Sequence, residues 1–413
     1  MADHLRSCVV VGGNVAGGRA AEALRAGGFD GRLMLIGAEP ERPYERPPLS
    51  KTFLSDGLAE DKLYLRPHAY YAEQEIELRL GQRATRLDPV DRVVELDGGA
   101  ERLGYDAVLI ATGASPRRLS VPGGDLEGVL YLRDLRDARA LRDRLATAQR
   151  VVVVGAGFIG AEVAASARTL GREVVALEAL PVPLERALGP VVGALYADIH
   201  RAYGVDLRTS EGVASIEHTG GEYRVLTASG TAIKCDLVVV GVGVAPEVDW
   251  LKDSGIELRN GVVVDELCRA SLPGVYAAGD VANWWHPRLG QHLRVEHFDN
   301  AQNQGVAAAR SMLGQGQSYA PVNYFWSDQY DLSLQYVGHA TGEDMVVLRG
   351  RVDSGSWSAF YLRDGVQLKA ALAVNRFRDV SAARQLIARD VAVSPDQLRD
   401  ESVDLKSLAR AGV

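Results

Sequence analysis

A short apolar run near the start of the chain, VVVGG (9–13), leads straight into an alanine-rich stretch, and the same pattern returns at VVVVGAGFIG (151–160). Unbroken apolar runs of this length, bounded by glycine, predict strands buried on both faces, and the stretches behind them predict helices. Each unit is closed by a later apolar strand, YDAVLIATG (105–113) and CDLVVVGVG (235–243). A fifth such strand lies in LPGVYAAGDVA (272–282) and ends at Gly279-Asp280, before an alanine-rich helix starting near residue 299. From about Tyr319 the pattern changes. Alternation in LSLQYVG, MVVLRGRV and SAFYLRDGVQLKAALAVN predicts a short antiparallel sheet, with helices to follow near 381–390 and 402–411.

The glycines give the two units their chemistry. A dinucleotide's pyrophosphate rests on free N–H groups at a helix N-terminus, and glycines permit both the tight turn and the close approach. Gly155, Gly157 and Gly160 fit that fingerprint, with Phe158 and Ile159 opening the helix. Glu178 ends the next strand, EVVALE, where a carboxylate can accept ribose hydroxyls, and Arg186 lies within reach of an adenine. In the first unit Gly12 and Gly17 hold the outer positions and Ala16 precedes the last, but Asn14 replaces the middle glycine. Asparagine tolerates left-handed backbone, while its side chain would crowd a pyrophosphate. The candidate ribose carboxylate here is Glu39, after the strand RLMLIG. Tight strand–helix turns without a ligand are the alternative for each unit.

Composition narrows the partners. The 413 residues suffice for two or three domains, and a net charge of -8 argues against nucleic acid. Three scattered cysteines, Cys8, Cys235 and Cys268, make neither a disulfide framework nor a zinc site, so no metal ligands are expected. The first strand begins by residue 7, which predicts a cytoplasmic protein without a signal peptide.

RPYERPPLSK (42–51), ATGASPR, VGAGFIGAEVAASA, VYAAGDVA and YFWSDQY together resemble the FAD-dependent, NADH-using ferredoxin reductases of bacterial oxygenase systems, of the putidaredoxin reductase and biphenyl-dioxygenase reductase type. The resemblance implies an α/β fold of glutathione reductase type: two Rossmann-like dinucleotide-binding domains and a C-terminal α+β domain. It assigns residues 1–113 and 241–318 to FAD, 114–240 to NAD and 319–413 to the C-terminal domain. Arg46, Lys51, Ala84, Thr112, Gly113, Arg133, Phe298 and Trp326 match FAD-lining positions, and Asp280 matches the residue that binds the ribityl chain. Gly243 and Glu296 match nicotinamide-side contacts, and Lys51 is implied to pair with Glu162 where nicotinamide meets flavin.

In the related disulfide reductases, the segment after the proline-rich elbow carries a redox cysteine pair. Here TFLSDGLAEDKLYL has no cysteine, so electrons reaching the flavin must leave to an outside acceptor. The resemblance names it as a [2Fe-2S] ferredoxin, docked transiently; an acidic chain would meet it electrostatically through a local basic face, for which Arg310, Lys369, Arg376 and Arg378 are the candidates, with scattered solubilising charges as the alternative. A monomer is expected. Rubredoxin reductase, NADH oxidase and a redox-sensing binding protein are the competing readings.

Overall fold

The computed structural model describes residues 5–411, which divide into two compact units. The first comprises residues up to 46, 59–115 and 244–321, and the second 47–58, 116–243 and 322 onward.

In the first unit, five parallel strands lie in the order Val275–Ala277, Ala107–Ile110, Ser7–Val11, Arg32–Gly37 and Ile76–Leu80. The apolar run at 7–11 is continuous because both faces of the strand are covered. Cys8 and Val10 pack with Ala20, Ala21 and Leu24 of the helix Val15–Ala26. Val9 and Val11 pack with Leu87, Val94 and Leu103 of a three-stranded antiparallel meander, 84–104. Helices Val15–Ala26 and Phe298–Met312 pack against each other closely, since a Cβ on Gly305 would lie 2.3 Å from the Ala16 carbonyl oxygen.

The second unit repeats the parallel arrangement, in the order Val205–Arg208, Glu173–Leu177, Arg150–Val154, Leu237–Val240 and Val129–Tyr131. A five-stranded antiparallel sheet follows, in the order Tyr324–Gln329, Leu332–Gly338, Gln367–Val374, Ser356–Arg363 and Met345–Arg351. Its alternation is real: Trp357, Ala359 and Tyr361 face the helix Glu185–Ala202, while Phe360 and Leu362 face the helix Phe377–Ala388. That last helix starts four residues before the expected 381 and ends at 388, because Phe377–Val380 already belongs to its first turn. A further short helix, Pro395–Arg399, is closed by a capping box between Ser394 and Gln397. Buried Arg349 donates to the carbonyls of Leu398, Asp400, Glu401 and Val403 and ties the C-terminal segment to the sheet.

Candidate functional site

Parallel strands place their following loops side by side at their carboxyl edge, where open α/β sheets bind ligands. In the first unit Val11, Ile36, Ile110 and Ala277 stand in register across adjacent strands. The turns that follow therefore bring together Gly12, Asn14, Glu39, Thr112, Gly113 and Asp280. Gly12 has φ +127°, and a Cβ there would meet the Ala111 oxygen at 2.1 Å. Gly17 allows the helix to cross the strand, since a Cβ on it would lie 2.0 Å from the Gly12 oxygen.

Asn14 differs from expectation. Its φ of −111° is extended, so its tolerance of left-handed backbone is not used. Its Oδ1 accepts from the amides of Ala16 and Gly17 at 3.1 and 3.4 Å, and its Nδ2 donates to the Ala111 oxygen at 2.6 Å. The side chain is thus turned inward as a helix cap. Ala16 is 3% exposed and serves packing against Gly305 and Gly279.

Glu39 is fixed by two donors, Arg46 Nη2 and the Tyr44 hydroxyl, each at 2.5 Å. The Thr112 hydroxyl donates to the Glu247 carbonyl at 2.8 Å. Behind Asp280, the Gly279 amide donates at 2.9 Å to Gln304 Oε1 on the helix Phe298–Met312, and Arg294 donates to the Asp280 carbonyl while pairing with Glu296 at 2.6 Å. Gln304 and Asn300 are buried and were missed from the sequence, although two polar residues four apart on a helix otherwise rich in buried alanine are a visible signal. Ala84 opens the first strand of the meander, just after Gly81 and Gln82, whose amides donate to the carbonyls of Glu39 and Gly37. Phe298 is the first residue of its helix.

In the second unit Gly155, Gly157, Phe158, Glu178, Arg186 and Gly243 line one cavity of about 310 Å³. A Cβ on Gly160 would lie 1.9 Å from the Gly155 oxygen, so this glycine serves the helix–strand crossing. Glu178 is locked by its own loop: Oε2 accepts from the Ala156 amide at 2.7 Å and Oε1 from the Leu180 amide at 2.9 Å. Ile159 is 43% exposed beside the cavity-lining Phe158, whose ring meets Phe325 edge-on. Arg133 follows the strand Val129–Tyr131 at the same carboxyl edge.

The same unit contains the elbow's second half. Pro47–Ser50 and Thr52–Ser55 pack on the helix Phe158–Thr169, and the Ser50 carbonyl accepts from Ser166 Oγ at 2.8 Å. Lys51 Nζ pairs with Glu162 Oε2 at 3.0 Å and donates to the Pro47 carbonyl at 3.0 Å. Glu162 is 4% exposed and also accepts from Ser50 and Ser327. Trp326, the neighbour of Ser327, is half-buried and stacks on Tyr324.

All three cysteines are free and buried. Burial pushes the Cys8 and Cys235 thiols up to about 12 and raises that of Cys268 as well, so none is a thiolate at neutral pH. One docking candidate is lost. Arg376 is engaged by Asp379 and Glu401 at 2.8 and 2.6 Å, so its charge is already answered, whereas Arg310 and Arg378 are exposed and Lys369 is half-buried. Among the described residues no helix is long and apolar enough to cross a membrane.

Residues 6–305 match the family described as pyridine nucleotide-disulphide oxidoreductase, and residues 324–409 match the reductase C-terminal domain. Rhodocoxin reductase of Rhodococcus erythropolis is 40% identical over 401 residues, covering 97% of this chain and 93% of that protein. The ferredoxin–NAD(+) reductase component of the anthranilate 1,2-dioxygenase system of Burkholderia cepacia is 40% identical over 402 residues, covering 97% and 98%. The crystal structure of the covalent putidaredoxin reductase–putidaredoxin complex matches with a TM-score of 0.94 at 35% identity, covering 98% of each chain. The chain belongs to the pyridine nucleotide-disulphide oxidoreductases, in the branch of FAD-dependent, NADH-using ferredoxin reductases that serve oxygenase systems.

Proposed function

We propose that this protein carries reducing equivalents from NADH to a small [2Fe-2S] ferredoxin in the cytoplasm, acting as a monomer, and that the ferredoxin feeds an oxygenase. One observation supports the outward route most directly. A disulfide reductase needs a reactive cysteine pair, and every thiol of this chain is buried with its pKa raised.

The residues present fit the two dinucleotides. The glycine cradle at Gly12, the capped helix behind it, the pinned Glu39 and the braced Asp280 suit FAD, with residues 1–113 and 241–318 forming its domain. The cavity bounded by Gly155, Glu178 and Gly243 suits NADH, with most of its lining drawn from residues 114–240, the NAD domain, and residues 319–413 form the third domain. Bound FAD would supply the conversion of a two-electron donor into single electrons. The chain's own groups do the rest. Glu178 would accept the ribose hydroxyls and disfavour a 2′-phosphate. Lys51 and Glu162 would set the charge where the nicotinamide delivers its hydride, and Arg133 and Trp326 are assigned to FAD by resemblance.

Rapid mixing with NADH, with and without candidate carriers, tests the reading. Flavin bleaching by NADH followed by fast reoxidation on adding a [2Fe-2S] ferredoxin is expected. Faster reoxidation by rubredoxin or by oxygen than by any ferredoxin would overturn it.

A further inference from the structure

Glu162 stands in the helix Phe158–Thr169 among Ala161, Val163, Ala164 and Ala165, all buried. Taking a carboxylate out of water costs several kcal/mol unless donors replace the lost hydration. Three donors do so, from two distant chain segments. Ser50 Oγ donates to Oε2 at 2.5 Å, Lys51 Nζ lies 3.0 Å from the same oxygen, and Ser327 Oγ donates to Oε1 at 2.6 Å. Gln329 Nε2 in turn donates to Ser327 Oγ at 3.1 Å. Ser50, Ser327 and Gln329 are 2%, 0% and 2% exposed.

The pattern is more than charge neutralisation. An apolar set of equal volume would stabilise the fold at least as well as a buried ion pair. The two hydroxyls instead fix both oxygens of Glu162, and with them the plane of the carboxylate. That plane determines where the Lys51 ammonium sits, because among the described residues Lys51 is held by Glu162 and the Pro47 carbonyl. An ammonium has three N–H donors, so one stays available to a ligand.

We propose that Ser50 and Ser327 are positioning residues for flavin reduction, which hold Glu162 and through it aim Lys51. Ser327 lies on the strand Tyr324–Gln329, so the pair is registered to the antiparallel sheet as well as to the elbow. The proposal rests on the reading that Lys51 and Glu162 act in that step.

The test is a double-mutant cycle on the FAD-loaded protein with Ser327→Ala, Glu162→Gln and the double variant. Ser327→Ala should slow flavin reduction at saturating NADH by about 3- to 10-fold, the value of one ordinary hydrogen bond. The NADH dissociation constant should stay within about twofold, and Ser327→Thr, which keeps the hydroxyl, should recover the rate. The double variant should be no slower than Glu162→Gln alone, and the flavin midpoint potential should move in the same direction in both single variants. A wild-type rate in Ser327→Ala beside a slow Glu162→Gln overturns the positioning role and leaves the pair's role intact. A wild-type rate in Glu162→Gln overturns the reading beneath it. Multiplying losses in the double variant also overturn the proposal, because they mean that Ser327 and Glu162 act independently of each other. If Ser327→Ala fails to fold, Ser50→Ala runs the same cycle through the other carboxylate oxygen, with the same expected and contrary results.

Discussion

At the scale of single residues, the two carboxylates outside the Lys51 pair make separate predictions. Glu178 is held by two backbone amides at 2.7 and 2.9 Å, so it cannot swing away from a 2′-phosphate without breaking its own loop. NADH should therefore exceed NADPH in kcat/KM by at least about tenfold, and Glu178→Ser should narrow the gap. Equal values in the native protein would contradict the assignment. Asp280 follows a Gly279 amide braced by Gln304. Asp280→Ala should weaken FAD retention by about 1–3 kcal/mol, read as loss of flavin absorbance on gel filtration. Full retention would remove Asp280 from the ribityl contacts. The position of both residues just after strand ends was legible in the sequence. Ser50 and Ser327 were not, because a serine in a proline-rich elbow and a serine in an aromatic strand each have ordinary surface explanations, and only folding sets them on one carboxylate.

At the scale of elements, the packing of the helix Glu185–Ala202 on the hairpin 324–338 carries a pH signature. His200 is buried, with its Nδ1 2.7 Å from the Tyr330 hydroxyl, and burial pushes its imidazole down to about 4, against a smaller opposing effect of Gln329. An unfolded histidine titrates near 6.5. Between these values the unfolded chain binds the extra proton, so stability falls as pH drops from about 6.5 to about 4 and is unaffected by this group above about 7. The full loss is about 3 kcal/mol. Denaturant midpoints measured across that range should fall, and His200→Gln should flatten the curve. An identical pH dependence in the variant would show that His200 is not responsible. Element type was readable wherever apolar pattern and length agreed, as in the strands 7–11 and 150–154. The helix Pro395–Arg399 was missed because five residues show too little periodicity, and only the capping pair Ser394 and Gln397 announces it.

At the scale of the whole molecule, a net charge of -8 would repel an acidic ferredoxin at long range, so the proposed electrostatic docking would need local basic side chains. With Arg376 committed to Asp379 and Glu401, exposed Arg378 and Arg310 are the better candidates. Ferredoxin-mediated cytochrome c reduction should weaken as salt rises, while direct ferricyanide reduction should not, and Arg378→Glu should raise the KM for ferredoxin alone. Salt-independent turnover would mean apolar docking. The partition of the elbow was hidden at sequence level: Arg46 groups with the first unit and Pro47–Leu58 with the second, because the latter packs on the helix Phe158–Thr169, a contact more than a hundred residues away in sequence. The central claim is that electrons pass through the flavin with no thiol station. Anaerobic reductive titration tests it most directly. The account predicts full bleaching with a single NADH equivalent per FAD and no change in free thiols. Uptake of a second reducing equivalent, with new thiols appearing on labelling, would contradict it.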